Sequence, residues 1–172
     1  MLKIYGLILI IVSGAGMGFA GSRELSAGLK AREMLLRMVI LLKGEIRCGN
    51  ASLSDAMAGA AAKLPGAYGR FLRKTAQETE ARRGESFGVI FRKNAEIYLK
   101  ELRLHKEEQE QLFSLGDHLG YLDLKMQIRQ LELYEEEMEE SIRLLKSQLP
   151  ERKKVRTSLG ILFGIFLAVL VF

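Results

Sequence analysis

Apolar residues concentrate at the two ends of the chain, in runs that contain no charge. The first run covers residues 4–20, and the second covers residues 157–172, up to the last residue. A helix needs about 20 apolar residues to cross a bilayer core, with roughly 17 as the lower limit. The pattern therefore predicts one transmembrane helix within residues 1–21. It predicts a second, of marginal length, within residues 151–172, where a basic flank precedes the apolar run.

Basic side chains gather on the inner side of both runs. Lys3 alone precedes the first run, and four basic residues follow it, namely Arg23, Lys30, Arg32 and Arg37. Four more precede the second run, namely Arg152, Lys153, Lys154 and Arg156. Because Lys and Arg flank membrane helices on the cytoplasmic side, we predict a two-pass membrane protein whose central domain, residues 22–150, is cytoplasmic.

The first run has a second interpretation. A short positive start, an apolar stretch and the small residues at Gly18 and Ala20 are also typical of a secretory signal. Cleavage would leave a secreted or surface-anchored helical protein with no channel role. The length of the run and the basic residues after it favour the membrane helix instead.

Between the two runs the pattern predicts helix throughout. Prolines occur only at 65 and 150, and no stretch alternates apolar and polar residues for long enough to form a strand. Glycine, proline and short polar breaks divide this part into six predicted helices, at about residues 22–47, 52–63, 67–83, 86–104, 106–115 and 121–149. Short loops return a helix alongside its predecessor. The predicted fold class is therefore all-α, an antiparallel bundle of about six helices flanked by two terminal transmembrane helices.

Local signals set several helix ends. Ser22 and Ser52 are predicted N-caps, and Asp55 falls in the first turn after Ser52. Gly84 and Gly116 are predicted to end the third and fifth helices. Pro150 is expected to break or kink the path into the second apolar run.

The sixth predicted helix carries a heptad seam and an acidic block. The seam is formed by Leu124, Ile128, Leu131, Met138, Ile142, Leu145 and Leu149, with Glu135 at one of its positions. Such a seam packs against another helix, of this chain or of a partner. Glu136, Glu137, Glu139 and Glu140 form the acidic block, which is either a solvated helix face or a docking surface for a basic partner.

Both apolar runs also contain small residues four apart. Gly14 and Gly18 lie in the first, and Gly160 and Gly164 lie in the second. Small residues let membrane helices approach closely. We predict that these four glycines pack the terminal helices against each other or against a partner subunit.

The composition favours no catalytic chemistry. The net charge of +5 collects beside the apolar runs, which suits anionic lipid head groups, and no basic helix interleaves aromatics for nucleic acid. One cysteine, Cys48, and two histidines exclude an internal disulfide and make a zinc site improbable. Residues 16–21 match a dinucleotide fingerprint, but only helices follow where a parallel sheet is required. We predict no enzyme activity, no catalytic or metal site and no cofactor.

Four segments in their order resemble the cytoplasmic domain of type II secretion F proteins, namely residues 35–42, 52–56, 83–90 and 116–123. The glycine-bounded turns carry most of this likeness, through Gly84, Glu85, Gly116, Asp117, Gly120 and Asp123. The resemblance implies a fold of six antiparallel helices. F proteins usually hold two such domains and this chain holds one, so the resemblance leaves open a homodimer that restores the second copy.

With one such domain between two terminal apolar runs, the chain is most similar to the stage III sporulation AB family of endospore-forming bacteria. Residues 115–127 and 131–137 carry the most specific part of this likeness. The resemblance implies a scaffold subunit of a secretion-like channel complex between mother cell and forespore, in the mother-cell-side (outer forespore) membrane. Its expected partners are a secretion-type ATPase, stage III sporulation protein AA, other stage III membrane subunits and membrane lipid.

Overall fold

The computed structural model describes residues 2–48, 52–81, 84–102 and 104–171. Within helices, the side chains of residues 2–24, 156, 160, 164, 165 and 167–171 lie outside this description. The described residues form α1 (Leu2–Cys48), α2 (Leu53–Ala62), α3 (Gly66–Glu80), α4 (Phe87–Tyr98), a 3-10 turn (Lys100–Leu102), α5 (Lys106–Leu119) and α6 (Leu124–Val171). These elements confirm the all-α class, and the described ranges contain no strand.

The chain divides into two compact units. Ala31–Ile142 form one unit, which we call the bundle, and Met1–Lys30 with Arg143–Phe172 form the other, which we call the terminal unit. No helix among the residues described is both long and apolar enough to cross a bilayer. The side chains of the first predicted membrane run, residues 4–20, lie outside the description.

The predicted helix start at Ser22 is wrong. α1 continues from Leu2 to Cys48 without a break, so Ser22 lies inside the helix and not at its start. Glycine and serine cost only about 1 kcal/mol or less each in a helix interior, whereas proline costs about 3 kcal/mol. Helical turns on both sides of Gly21-Ser22 therefore continue through them.

The start of α2 confirms the predicted cap. Ser52 Oγ accepts a hydrogen bond from the Asp55 N–H at 3.2 Å, and the Asp55 carboxylate accepts one from the Ser52 N–H at 3.1 Å. This reciprocal capping box satisfies two backbone donors at the helix start. A capping side chain of this kind stabilises a helix by about 1 kcal/mol.

The ends of α3 and α4 differ from the predicted bounds. α3 ends at Glu80, three residues before the predicted end, and residues 82–83 lie outside the description. α4 ends at Tyr98 instead of continuing to Leu104. Leu99 and Leu104, on either side of the 3-10 turn, are both buried.

Gly116 does not end the fifth helix. α5 continues through it to Leu119 and stops at Gly120, so His118 also lies in the last helical turn. A methyl group at Gly116 would lie 2.7 Å from Cγ of Phe91, which is closer than real side chains approach. Gly116 therefore serves the close packing of α5 on α4, and this packing outweighs the cost of glycine in a helix.

α6 begins one residue after Asp123, whose Oδ1 accepts the Met126 N–H at 2.8 Å. The predicted start at Tyr121 is three residues early. Pro150 lies inside α6 and does not end it. Of the predicted seam, Leu131, Met138 and Ile142 are buried in the bundle, while Leu124 is half exposed.

Large apolar side chains fill the bundle. The rings of Phe71 and Phe91 meet edge to face, with centroids 5.0 Å apart. On α1 the buried face runs through Leu35, Met38, Val39, Leu42 and Ile46, which follow helical spacing. Ile40 lies on the other side of α1 and is 40% exposed.

Candidate functional site

Three turns of the bundle meet at one end and enclose a cleft of about 450 Å³, which we call the end cleft. Its walls come from the start of α2, the end of α3 with the start of α4, and the end of α5 with the start of α6. Leu53, Phe87 and Leu119 supply apolar lining, while Asp55 and Glu80 supply carboxylates. Antiparallel helices bring these distant segments to the same end.

The turns that carry the secretion F-like likeness build the surroundings of this cleft. Gly84 has φ +82°, a backbone conformation that glycine adopts without strain, in the turn from α3 to α4. Gly120 lines the cleft, and a methyl group on it would lie 2.8 Å from Cβ of Phe87. Asp123 caps α6. Glu85 is exposed.

Asp117 ties α5 to α4 near the same end. Its carboxylate accepts a hydrogen bond from the Arg92 guanidinium at 3.0 Å, and that guanidinium also lies 4.8 Å from the centre of the Phe113 ring. A methyl group on Gly88 would lie 3.0 Å from Cα of Asp117. The structure therefore assigns packing and turn roles to Gly116, Asp117, Gly120 and Asp123. Gly88 and Arg92 complete the contact, although the sequence analysis did not single them out.

A buried ion pair joins α1 to α5 in another part of the bundle. Arg32 donates to both carboxylate oxygens of Glu108, at 2.5 Å from Nε and 2.8 Å from the terminal nitrogen. Both residues are buried. Glu108 also accepts the His105 N–H at 2.8 Å, so it closes a capping box at the start of α5. The sequence pattern predicts that Arg32 is one of the charges that flank the membrane, but its side chain lies inside the bundle.

Two tyrosines accompany this ion pair. Tyr68 donates its hydroxyl to the Ala31 carbonyl at 2.6 Å, and burial raises the pKa of Tyr68 to about 12. The Tyr134 hydroxyl is buried without a hydrogen-bond partner among the residues described. Burial raises the pKa of Tyr134 strongly, and the negative charge of Glu108 adds to this rise. We call Arg32, Glu108, Tyr68 and Tyr134 the polar cluster.

The acidic block lies on the outer face of α6. Glu136, Glu137, Glu139 and Glu140 are all exposed. Glu135, at the predicted seam position, is only partly exposed and pairs with Lys43 of α1. Tyr134 and Met138, on the other side of the same turns, are buried in the core. The packed face of α6 thus holds its acidic face in a fixed position.

The four glycines predicted to pack membrane helices lie within α1 and α6. The surroundings of Gly14, Gly18, Gly160 and Gly164 fall outside the description. The prediction about their packing stays a prediction.

The helical architecture of the described residues defines an all-α protein. The chain belongs to the stage III sporulation protein AB family, whose model matches residues 3–172. This match confirms the predicted sporulation family. No curated protein matches the chain, and no solved structure matches it either. The resemblance to secretion F domains stays a prediction.

Proposed function

We propose that the chain is a non-enzymatic scaffold subunit of a sporulation-specific, secretion-like channel complex between mother cell and forespore. In this proposal two terminal helices anchor it in the mother-cell-side (outer forespore) membrane, and its bundle faces the cytoplasm and binds a secretion-type ATPase. The observation that carries the proposal is the match to the stage III sporulation protein AB family over nearly the whole chain.

Two features support the membrane anchors. The apolar runs at residues 4–20 and 157–172 are flanked by basic residues on their inner sides. In addition, Val155, Leu159, Leu162, Phe163 and Phe166 of α6 recur at helical spacing and are each between 56% and 61% exposed. An apolar stripe of this kind needs lipid or another protein to cover it. A neighbouring basic segment suits anionic lipid head groups.

The acidic block is the proposed docking surface for the ATPase. Its four exposed carboxylates lie on the outer face of a helix whose inner face is packed, so the backbone that carries them is already in place before a partner binds. Opposite charges on two partners speed their encounter and fix their orientation. Because these carboxylates are exposed, the attraction should weaken as salt screens it over about 10 Å.

The polar cluster supports a role in transmitting a mechanical load from the bundle to the membrane. Arg32 of α1 and Glu108 of α5 form a bidentate contact in the interior, which fixes the two helices to each other. A load applied to the outer helices of the bundle can therefore reach α1, and α1 includes the first apolar run. Through such a path an ATPase could act on other membrane subunits of the complex.

Charge reversal tests the docking surface. Replacing Glu136, Glu137, Glu139 and Glu140 by lysine should weaken binding of purified stage III sporulation protein AA by about tenfold or more at low salt. The matched control reverses four exposed glutamates elsewhere on the bundle, at Glu96, Glu101, Glu107 and Glu110. The control changes the net charge equally and should alter the affinity about twofold or less. Equal losses in both variants, or no loss in either, would refute the acidic block as the docking surface.

A further inference from the structure

Charge is divided unequally between the earlier and the later helices of the bundle. Residues 31–103, which include α2, α3 and α4, hold fourteen basic and eight acidic residues, a net charge of +6. Residues 104–142, which include α5 and the acidic block of α6, hold three basic and eleven acidic residues, a net charge of −8. A charged surface near the bundle would therefore attract one group of helices and repel the other.

The basic part contains a long stretch without any acidic residue. Residues 56–77, which cover most of α2 and α3, hold four basic residues and neither Asp nor Glu. Two of these cations have acidic partners from outside the stretch. Lys63 pairs with Glu45 at 2.5 Å, and Lys74 pairs with Glu78 at 3.4 Å.

The other two cations of the stretch are arginines on one face of α3. Arg70 and Arg73 are three residues apart, so they are neighbours on the helix surface, and Gln77 continues the same face. All three are exposed. Neither arginine forms an ion pair with a residue that the structure describes. We call Arg70, Arg73 and Gln77 the arginine face.

The surroundings of the arginine face suit phosphate groups better than a protein partner. None of the large apolar side chains in residues 56–77, all of which the structure describes, is exposed. The core of a protein–protein interface is usually rich in aromatic and other apolar side chains. A guanidinium donates paired hydrogen bonds to phosphate oxygens without such neighbours. The arginine face therefore matches a layer of phosphate groups.

The start of α3 is fixed to the residue at which α1 enters the bundle. Tyr68, two residues before Arg70, donates its hydroxyl to the carbonyl of Ala31, the first residue of the bundle. Eleven helical residues, about 16 Å of rise, lead from Ala20 at the end of the first apolar run to Ala31. This short connection favours the phosphates of an anchoring bilayer over those of a nucleic acid.

We propose that the arginine face contacts the anionic head groups of the bilayer that holds the terminal helices. This inference rests on the membrane anchors of the proposed function. The same lipid repels the acidic block, so the bundle turns its acidic face towards the cytoplasm, where a cationic partner can reach it.

The charge of the arginine face sets the strength of the contact. A basic residue near an anionic bilayer contributes about 1 kcal/mol. Two arginines therefore favour contact over separation by about thirtyfold. Because the anchors hold the bundle beside the lipid, the contact forms within one assembly and needs no further association step.

Quenching by labelled lipid tests the contact in the full-length chain. A fluorophore is attached at Gln77→Cys in a Cys48→Ser background, and the chain is reconstituted into vesicles whose head groups carry a nitroxide quencher in both leaflets. Quenching should be at least about twofold stronger with about 30% phosphatidylglycerol than with phosphatidylcholine alone. It should fall to the phosphatidylcholine level at about 0.5 M salt, since salt screens exposed charges.

Charge reversal on two helices identifies the surface. Arg70→Glu with Arg73→Glu should abolish the extra quenching in anionic vesicles. The control, Lys125→Glu with Arg129→Glu, changes the net charge equally at exposed positions of α6 and should leave most of the extra quenching in place. Thermal unfolding of each variant confirms that the bundle is folded.

Two outcomes would overturn the inference alone, provided that the chain resists extraction by alkaline carbonate. One is equal quenching in anionic and neutral vesicles, and the other is an equal effect of the two charge reversals. A chain that carbonate extracts from the vesicles would instead overturn the membrane anchors, and this inference with them.

Discussion

The Arg32–Glu108 ion pair offers the sharpest prediction about the stability of the bundle. The Arg32 side chain is 7% exposed and the Glu108 side chain is 11% exposed. Arg32→Met fills similar volume but leaves the Glu108 carboxylate buried without its cation. Removal of one partner from a buried pair costs about 3–5 kcal/mol, because the remaining charge stays desolvated.

A double variant separates the charge from the packing. Arg32→Met with Glu108→Leu removes both charges, so the penalty for an unpaired charge disappears. It also removes the capping contact of Glu108 with the His105 N–H, which costs about 1 kcal/mol. We therefore expect the free energy of unfolding of the double variant to fall by about 1–2 kcal/mol, which is less than the fall in the single variant.

Urea unfolding of the full-length chain, followed by helical circular dichroism, measures both losses. For a unit of the size of Ala31–Ile142, 1 kcal/mol corresponds to a shift in Tm of about 4 °C, so thermal unfolding should show the same order. A loss below about 1 kcal/mol in Arg32→Met would refute the view that this pair is buried and coupled. A double variant less stable than the single one would refute it as well.

Three further predictions concern single positions. Tyr134→Phe should keep or raise Tm, since the buried Tyr134 hydroxyl has no hydrogen-bond partner among the described residues. Tyr68→Phe should lower the free energy of unfolding by about 1 kcal/mol, because it removes the hydrogen bond of Tyr68 to the Ala31 carbonyl. Gly116→Ala should lower the free energy of unfolding, measured in urea, by about 1–3 kcal/mol, because the added methyl group clashes with Phe91 of α4. The control Gly44→Ala has nothing within 4 Å of the added methyl group and should raise the free energy of unfolding by up to about 1 kcal/mol. A hydrogen bond from the Asn94 amide holds the pKa of Glu78 below its ordinary 4.5. The ionised Glu78 carboxylate therefore stabilises the fold above pH 4.5, and this stabilisation is lost as the pH falls below that value. Glu78→Gln should therefore flatten the decline of Tm between about pH 5 and 3.

Local signals were readable from the sequence wherever neighbours along the chain decide the structure. The Ser52 cap depends on Asp55 three residues later, and both side chains act as predicted. The all-α class follows from helical periodicity, and the family follows from one domain between two terminal apolar runs together with residues 115–127 and 131–137. The end cleft itself could not be predicted, since three turns form it that are far apart in sequence.

Two of the errors share one physical cause, which is packing between distant segments. Arg32 reads as a membrane-flanking charge because its partner Glu108 lies 76 residues away. Gly116 is predicted as a helix end because the sequence of its own helix does not show its contact with Phe91 of α4. Ser22 reads as a cap because the sequence does not show whether adjacent helical turns will continue through it.

Labelling of Cys48 tests the central claim, a cytoplasmic bundle between two membrane anchors, most directly. Cys48 is the single cysteine of the chain and is exposed on the bundle, so the natural protein carries its own probe. A membrane-impermeant maleimide is applied to intact and to permeabilised non-sporulating cells that produce the protein in their plasma membrane, so that its outward side faces the medium. Cys48→Ser is the blank, and a cysteine appended after Phe172 in that background is the outward control. The account predicts labelling of Cys48 only after permeabilisation and labelling of the appended cysteine in intact cells. Equal labelling of Cys48 in intact and permeabilised cells would contradict it and favour the secreted alternative.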